Sequence, residues 1–205
     1  MRASSPKRES TEDRRHAIAM AARSLIAEKG MEGLRTRDIA ERVGINIATL
    51  HYHVPSKEAL IGLVTDVMRT EFRSQSMVRP RAHLPPREQL EHEFYDFYEM
   101  ATEQPDILVV LGELHERGRR DPVVRAAIVP MMRYWLGMVA DILAAGRDDG
   151  SFHPKLDPQS AALTIVGGML TLCRSGDLSN DTYQRLCAEI RRAVANPDAK
   201  QGLNR

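Results

Sequence analysis

The sequence predicts an all-α fold in which a small N-terminal head precedes a larger helical domain. Apolar residues recur at helical spacing along almost the whole chain, alternating strand patterns are nearly absent, and Gly and Pro separate the helical stretches. Of the 205 residues, 42% are hydrophobic and 28% are charged, which supplies enough apolar surface for a buried core. This composition excludes a disordered or collagen-like chain.

About nine helices are expected after a polar arm at residues 1–10. They are predicted over residues 12–29, 37–43, 47–53, 57–76, 86–103, 105–118, 121–146, 157–174 and 179–195. The first helix carries one apolar stripe, formed by Ile18, Ala21, Ala22, Leu25 and Ile26. The second is expected to begin with the Thr36 hydroxyl as its N-cap and to end at Gly44, because glycine tolerates a left-handed backbone.

Capping residues and prolines predict the boundaries of the later helices. Ser56 is expected to cap the fourth helix, and Asp157 and Ser179 the last two. Three prolines stand near helix starts, where a missing N–H costs little: Pro105, Pro122 and Pro158. Pro130 lies inside the seventh helix and predicts a kink or break there. Residues 79–86 contain three prolines in eight residues and are expected to form a linker.

The chain lacks the sequence features of an exported or membrane protein. No apolar run reaches the ~18 residues of a membrane span, and residues 1–13 contain no apolar signal segment. The two cysteines, Cys173 and Cys187, are too few for a disulfide framework. We therefore expect a cytoplasmic protein with reduced thiols and no membrane partner.

The net charge of +1 conceals an asymmetry along the chain. Residues 1–57 hold 11 Lys and Arg against 7 Asp and Glu, whereas residues 58–205 hold 18 against 21. A basic head on a mildly acidic body is typical of a protein that binds a polyanion.

The two short helices, joined by a Gly-containing turn and preceded by a third, form the layout of a helix-turn-helix. In that motif the second short helix enters the major groove of DNA. Apolar residues suited to holding the pair together are Ile39, Ala40, Val43, Ile45 and Leu50. The outward face offers Asn46, Thr49, His51, Tyr52 and His53. Thr49 can bond a base edge and Asn46 can pair with adenine, while Tyr52, His51 and Lys57 suit phosphates.

The stretch from Leu34 to Leu60 resembles the DNA-binding head of the tetracycline-repressor family of transcriptional regulators. The matching positions are Gly30, Thr36, Ile39-Ala40, Gly44, Thr49-Leu50, His53 and Ser56-Lys57-Glu58-x-Leu60. Two positions depart from the family pattern, with His51 where Tyr is usual and Val54 where Phe is common. His51 implies a weaker and more pH-sensitive phosphate contact, and Val54 a smaller hydrophobic plug.

The resemblance implies a role for each residue of the DNA-facing surface. Contacts with phosphates at the start of the second helix are implied for Thr36 and Arg37. Contacts with bases are implied for Asn46, Ile47, Ala48 and Thr49. Contacts with the backbone or groove edge are implied for His51, Tyr52, His53 and Lys57. Additional minor-groove or phosphate contacts are implied for the arm residues Lys7, Arg8, Arg14 and Arg15.

The resemblance also implies three functional parts. These are a helix-turn-helix DNA-binding domain with its arm at 1–56, a connecting helix at 57–77, and a ligand-sensing and dimerisation domain at 78–205. Candidate residues for the ligand pocket are Phe94, Phe97, Tyr98, Leu111, His115, Met131, Trp135, Met138 and Met169, with Met132 and Tyr134 in the same wider set. Plain core packing is the alternative for each of them.

Dimerisation is implied through the last two helices. Small residues there permit close approach of a second copy: Ala161, Ala162, Gly167 and Gly168. A two-fold dimer presents two recognition helices about one DNA turn apart, so the operator is expected to be a pseudo-palindrome.

Neither a metal site nor a catalytic site is supported by more than one feature of the sequence. His51 and His53 point apart on a helix and do not suggest a metal pair. Glu113, His115 and Glu116 resemble an acid–base set, but no phosphate loop or nucleophile elbow accompanies them. We therefore expect no enzyme activity, no metal and no cofactor, although a small apolar or amphipathic effector is expected.

The sequence thus predicts a homodimeric, ligand-responsive repressor that binds a double-stranded DNA operator. Two alternatives remain open at this point. One is an activator that binds DNA without sensing a ligand, and the other is a small-molecule binding protein with a relic DNA-binding head.

Overall fold

The computed structural model describes residues 10–200, apart from the side chains of residues 75, 76, 199 and 200. Within that range the chain forms nine α-helices and no strand beyond one isolated bridge. The helices are α1 (Thr11–Lys29), α2 (Thr36–Val43), α3 (Ile47–His53), α4 (Lys57–Val78), α5 (Pro86–Glu103), α6 (Pro105–Gly118), α7 (Pro122–Asp148), α8 (Pro158–Arg174) and α9 (Asn180–Val194). A 3₁₀ turn covers Met31–Gly33. The predicted all-α fold class is confirmed, and α3, α5 and α6 have the predicted bounds.

The predicted side-chain caps of three helices are present. The Asp157 carboxylate accepts a hydrogen bond from the backbone N–H three residues later at 2.7 Å. The Ser179 and Ser56 hydroxyls accept in the same way at 3.3 and 3.2 Å. Each cap satisfies one of the free N–H groups of a first helical turn.

The structure corrects the predicted N-cap of α2 and one of the two outcomes predicted at Pro130. Arg35 is the N-cap residue of α2, with an extended backbone and no side-chain cap, so helical dihedrals begin at Thr36 rather than after it. Helix α7 continues through Pro130, so the chain does not break there, and a kink at this position stays a prediction. Proline removes the hydrogen bond to the carbonyl of Ala126. Because Pro130 and Ala126 are both exposed, water can reach that carbonyl and the helix persists.

The chain packs as two compact units. The first contains the residues up to Phe72 together with Val109–Ile128, and the second contains Arg73–Leu108 together with the residues from Val129 onward. Helices α4, α6 and α7 each contribute residues to both units. The bounds of these packing units differ from the three functional parts implied by the sequence, which stay a prediction.

The first unit has a core drawn from α1 to α4 and the second half of α6. Its most deeply buried apolar side chains are Ile18, Leu25, Ile26, Ile39, Leu50, Ile61, Met68 and Leu114. Arg23 of α1 is also buried, and its guanidinium donates to Glu71 of α4 at 2.6 Å. Removing a buried charge's partner is destabilising, so this pair fixes α1 against α4.

The second unit has an aromatic core. The Phe97 ring stacks on the rings of Trp135 and Tyr183, with centroid separations of 5.7 and 6.1 Å. The Tyr183 hydroxyl donates to the backbone carbonyl of Phe94 at 2.6 Å, which satisfies the one polar group that this buried ring carries. These contacts hold α5, α7 and α9 together.

Helix α7 is the one helix in the described range that is long and apolar enough to cross a membrane. That criterion uses length and composition only. Trp135, Val139 and Leu143 of this helix are buried against the second unit's core, which accounts for its apolar character.

Candidate functional site

Helices α1 and α2 of the first unit are joined by polar contacts on their exposed sides. The Arg42 guanidinium donates to both carboxylate oxygens of Glu28, at 2.8 and 2.9 Å, and to the Ser24 hydroxyl at 2.8 Å. Hydrogen bonds from Arg42 and Ser24 lower the pKa of Glu28 to about 2. Lys29 pairs with Asp38 at 3.1 Å. Bidentate pairing such as that of Arg42 with Glu28 fixes the orientation of the two side chains as well as their distance.

The turn between α2 and α3 follows from one glycine. Gly44 adopts a left-handed backbone, with φ 72° and ψ 35°, as the sequence predicts for the end of α2. The inward faces of both helices are buried at Ile39, Ala40, Leu50 and Val54. Val54, which is smaller than the residue expected from the family pattern, therefore still fills a buried position.

The outward face of α3 is open to solvent. Tyr52 is 82% exposed and Ile47 45% exposed, whereas Leu50 between them is 2% exposed. Ala48 and His51 are also exposed. The structure thus places four of the predicted residues on one accessible surface, namely Ile47, Ala48, His51 and Tyr52.

Thr49 and His53 are less accessible than predicted. Both side chains are half-buried. The His53 ring packs edge-on against the Tyr52 ring at a centroid distance of 5.1 Å, and the His53 carbonyl accepts from Arg15 at 3.1 Å. Arg15 was predicted as a DNA contact, and in the structure it fastens the end of α3 to α1. Lys7 and Arg8, which share that prediction, lie outside the described residues.

Asn46 has a local role that sequence reasoning missed. It is the N-cap of α3, and its side-chain oxygen accepts from the backbone N–H of Thr49 at 2.7 Å. The amide nitrogen and the second lone pair of the oxygen remain for a base, so two-point pairing with adenine would share this oxygen with the cap. The signal was available, because an asparagine directly before an expected helix is a typical N-cap.

Residues predicted to contact phosphates lie at the start of α2 and at the start of α4. Thr36 and Arg37 are exposed in the first turn of α2, whose N-terminus has no side-chain cap. Lys57 is exposed at the first position of α4. Uncapped N–H groups and a cation are both favourable partners of an anion.

The 3₁₀ turn of the first unit is held by α6. The backbone N–H of Met31 donates to the Glu113 carboxylate at 3.3 Å, and Arg117 donates to Glu32 at 2.6 Å. His115 of the same helix, a predicted pocket residue, is exposed. Leu111, also predicted for the pocket, is buried in the first unit.

The remaining predicted pocket residues belong to the second unit. Five are buried, namely Phe94, Phe97, Met131, Trp135 and Met169. Tyr98 and Met138 are half-buried. Tyr98 stacks on Tyr183 at a centroid distance of 4.9 Å. Phe97 and Trp135 stack on each other, most of the set is buried, and a role in binding a ligand stays a prediction.

The second unit contains an open groove with a volume of about 990 Å³. It is lined by Met77, Pro80, Arg81, Ala82, His83, Gln89, Arg133, Tyr134, Gly137, Met138, Asp141 and Ile142. Met138 and, from the wider predicted set, Tyr134 are on this wall. Both apolar and charged side chains line the groove, as in sites for small amphipathic molecules.

A buried charge cluster lies behind the groove wall. Arg81 approaches Glu93 at 3.2 Å and Asp96 at 3.0 Å, and Arg79 also pairs with Asp96. The Trp135 indole N–H donates to Glu93 at 2.8 Å. Burial raises the pKa of the Glu93 carboxyl. Sequence reasoning missed this cluster, although two acidic residues on the apolar face of α5 were a usable signal.

The part of the chain that the structure describes contains neither a cluster of metal-ligating side chains nor a disulfide. No group of three or more His, Cys, Asp and Glu side chains is placed to hold a metal ion there. Cys173 and Cys187 are free thiols, and burial raises the pKa of Cys173 to about 11. A raised thiol pKa makes the thiolate scarce and the thiol unreactive.

Comparison with known proteins gives the same assignment for one N-terminal and one C-terminal part of the chain. The family model described as bacterial regulatory proteins, tetR family, matches residues 18–64. The model described as the tetracyclin repressor-like C-terminal domain matches residues 109–194.

Individual relatives match the head alone or most of the chain. The class C tetracycline repressor of Escherichia coli is 37% identical over 65 residues, which cover 32% of this chain and only 30% of that protein. The HTH-type transcriptional repressor KstR2 of Mycolicibacterium smegmatis is 28% identical over 145 residues, or 70% of each protein.

A solved structure shows the same fold. AibR, determined in complex with isovaleryl coenzyme A and operator DNA, superposes with a TM-score of 0.71 at 22% identity, covering 88% of this chain and 98% of that one. The matched family consists of transcriptional regulators and not of enzymes. The chain therefore belongs to the tetR family of bacterial regulatory proteins.

Proposed function

We propose that this protein is a repressor that binds a pseudo-palindromic DNA operator as a homodimer and responds to a small effector. The observation that carries the proposal is the two-sided character of α3. The N-terminus of α3 is capped by Asn46 and one face is buried at Leu50. The other face presents Ile47 and Tyr52 to solvent. A short helix held rigidly in this way is the element that helix-turn-helix proteins insert into the major groove.

The proposed contacts separate into two kinds. Bases are contacted by the first turn of α3, formed by Asn46, Ile47, Ala48 and Thr49. Phosphates and the groove edge are contacted by Thr36, Arg37, His51, Tyr52, His53 and Lys57. Phosphate contacts fix the register of the protein on DNA, and base contacts select the sequence.

The homodimer is proposed to form through α8 and α9. On α8, Leu163 is 63% exposed, and a side chain built at Gly167 would meet nothing within 4 Å. An exposed apolar side chain beside an open glycine suits close packing against a second helix. A two-fold axis there brings two α3 helices to two half-sites.

The effector is proposed to bind in the second unit and to shift α4, which changes the spacing of the two heads. The AibR structure supports a paired effector and operator, because that fold neighbour was determined with both. An effector shifts the DNA-binding equilibrium only by its difference in affinity for the two states. Such a protein acts in the cytoplasm, where it meets the chromosome.

Selection from genomic DNA tests the proposal. The protein is incubated with sheared genomic DNA at about 150 mM salt, where non-specific binding is weak, and the retained DNA is sequenced. We expect a few enriched fragments that share a pseudo-palindrome. Retention without any shared sequence would contradict the proposal.

A pair of threonine variants tests base reading by α3. Thr49→Ala should lower operator affinity by about tenfold while leaving affinity for unrelated DNA nearly unchanged, because one base contact is worth about 1–3 kcal/mol. Thr70→Ala, at an exposed threonine of α4, is the matched control and should change neither affinity. Equal losses on both kinds of DNA would remove Thr49 from the reading surface.

A further inference from the structure

We propose that the groove of the second unit binds an elongated molecule with an anionic group at one end, a hydrogen-bond donor at the other and an apolar body between them. This inference rests on the proposed function, because it specifies the chemical class of the effector.

The floor of the groove is one face of α7. Arg133, Gly137, Met138, Asp141 and Ile142 all line it, at spacings that return to the same side of a helix. Eight residues separate Arg133 from Asp141, so the two charged residues lie about 12 Å apart along the helix axis. The floor therefore has a cationic end, an apolar middle and an anionic end.

The two charged ends are available to a ligand. Arg133 and Asp141 are exposed, and neither makes a hydrogen bond or ion pair with any other described residue. Three further titratable side chains line the groove, those of Arg81, His83 and Tyr134. Arg81 is already paired with Glu93 and Asp96, and His83 is exposed.

The chemistry of each end selects a different group. A guanidinium offers parallel N–H donors that match a carboxylate, and the His83 ring offers a further N–H donor in the groove. The Asp141 carboxylate only accepts hydrogen bonds, so it selects a hydroxyl or an amine. A ligand with one group of each kind satisfies both ends at once.

Gly137 keeps the middle of the groove open. A Cβ atom built at this position would meet nothing within 4 Å, so core packing does not require glycine there. Glycine inside a helix is also less favourable than alanine. The missing side chain therefore leaves space above α7 beside Met138, where the apolar body of the ligand would lie.

The single tryptophan of the chain reports on this site. Trp135 lies on α7 and donates to Glu93, which approaches Arg81 in the groove wall. A ligand that moves Arg81 alters the surroundings of the indole. Tryptophan fluorescence can therefore follow binding without a label.

The test uses the full chain, without DNA, and 10-hydroxydecanoate as the probe. Its affinity is compared, by calorimetry and tryptophan fluorescence, with those of decanoate and 1,10-decanediol, which each lack one of the two terminal groups. We expect 10-hydroxydecanoate to bind about tenfold more tightly than either, because each end adds a charge-assisted hydrogen bond. No binding of 10-hydroxydecanoate, or equal affinities for the three molecules, would overturn the proposal.

Substitutions at the two ends assign the preference to named residues. Arg133→Gln should abolish the higher affinity for 10-hydroxydecanoate than for the diol. Asp141→Ala should abolish the higher affinity for 10-hydroxydecanoate than for decanoate. Arg192→Gln, at an exposed arginine of α9, is the charge control and should change neither ratio. A preserved preference in Arg133→Gln or Asp141→Ala would count against that end of the site.

Two substitutions of Gly137 test the middle of the groove. Gly137→Leu should weaken all three probes by about tenfold or more, whereas Gly137→Ala should leave binding within about threefold, because a methyl group fills little of the space. Unfolding midpoints no lower than that of the unsubstituted protein show that both variants fold. Unchanged binding by Gly137→Leu would place the ligand elsewhere.

These measurements are independent of DNA binding. Specific binding of 10-hydroxydecanoate by a protein that enriches no operator would support the groove and contradict the proposed function. Operator enrichment by a protein that does not bind 10-hydroxydecanoate would support the proposed function and contradict the proposed groove site.

Discussion

Gly146 of α7 lies directly against the Phe152 ring. A Cβ atom at Gly146 would come within 2.0 Å of that ring, and Phe152 is buried. We expect Gly146→Ala to lower the free energy of unfolding by about 1–3 kcal/mol, because the ring has to move inside a packed core. Urea unfolding measures this change.

A second helical glycine supplies the control for this prediction. A Cβ atom at Gly62 of α4 would meet nothing within 4 Å. Gly62→Ala should leave stability unchanged or raise it by up to ~1 kcal/mol, because alanine reduces the entropy of the unfolded chain. A Gly146→Ala protein as stable as Gly62→Ala would contradict the packing described above.

The titration of Glu93 makes the free energy of unfolding depend on pH, and the raised pKa gives the sign of that dependence. Burial raises the pKa of its carboxyl above the unfolded value of 4.5, so the folded state favours the protonated form. The contribution of this group to stability is therefore fully present below pH 4.5 and is lost as pH rises towards the folded pKa. Glu93→Gln keeps a neutral acceptor for Trp135 and removes the titration.

We expect the stability of Glu93→Gln to decline less than that of the unsubstituted protein as pH rises above 4.5. Urea unfolding at a series of pH values, followed by tryptophan fluorescence, tests this. Parallel stability curves for the two proteins would show that the carboxyl does not titrate in this range.

Among the elements, α3 depends most on a single side chain. It has seven residues, too few for a stable isolated helix, and its N-terminus is satisfied by the Asn46 cap. Asn46→Ala should lower the free energy of unfolding by about 0.5–2 kcal/mol, whereas Asn46→Ser keeps an acceptor and should stay within a few tenths. Thermal unfolding distinguishes the two, and equal stabilities would mean that the cap is not needed.

The helices were largely predictable because their signals are local. Apolar spacing, prolines and glycines predicted the bounds of α3, α5 and α6, and the caps at Asp157 and Ser179 were identified correctly. Thr36 was misplaced by one residue because both an arginine and a threonine can precede a helix. Local sequence does not determine which of them takes extended dihedrals.

The charge cluster of the second unit was not predictable in the same way. Residues 79–86 were interpreted as a linker from their prolines, yet Arg79 and Arg81 of this segment pair with acidic residues of α5. Pairing of this kind depends on how the segment folds back onto a helix, which no local pattern specifies. The groove was unpredictable for the same reason, since its lining comes from three separated stretches of chain.

At the scale of the whole molecule, the proposed dimer makes a direct prediction. The protein should sediment at twice the chain mass of 23.1 kDa. Leu163→Glu should dissociate it, because the substitution places a charge on the exposed apolar surface of α8. Operator affinity should fall with it, since a monomer contacts one half-site only.

An exposed valine of α7 provides the control for the dimer. Val129 is 38% exposed and lies outside the last two helices, so Val129→Glu should leave the sedimenting mass unchanged. Both substitutions are at exposed positions and should preserve the fold. A monomeric unsubstituted protein, or a dimeric Leu163→Glu protein, would contradict the proposed interface.

The contribution of α6 to the first unit has a consequence for how the protein is made. Residues 109–128 complete a unit that otherwise ends at Phe72, and Glu113 reaches back to Met31. At synthesis rates of about 5–20 residues per second, the ribosome adds the chain from Arg73 to Ile128 in roughly 3–11 seconds. During that interval α1 to α4 lack part of their packing, so a nascent chain would leave this surface open to chaperones until residue 128 has emerged.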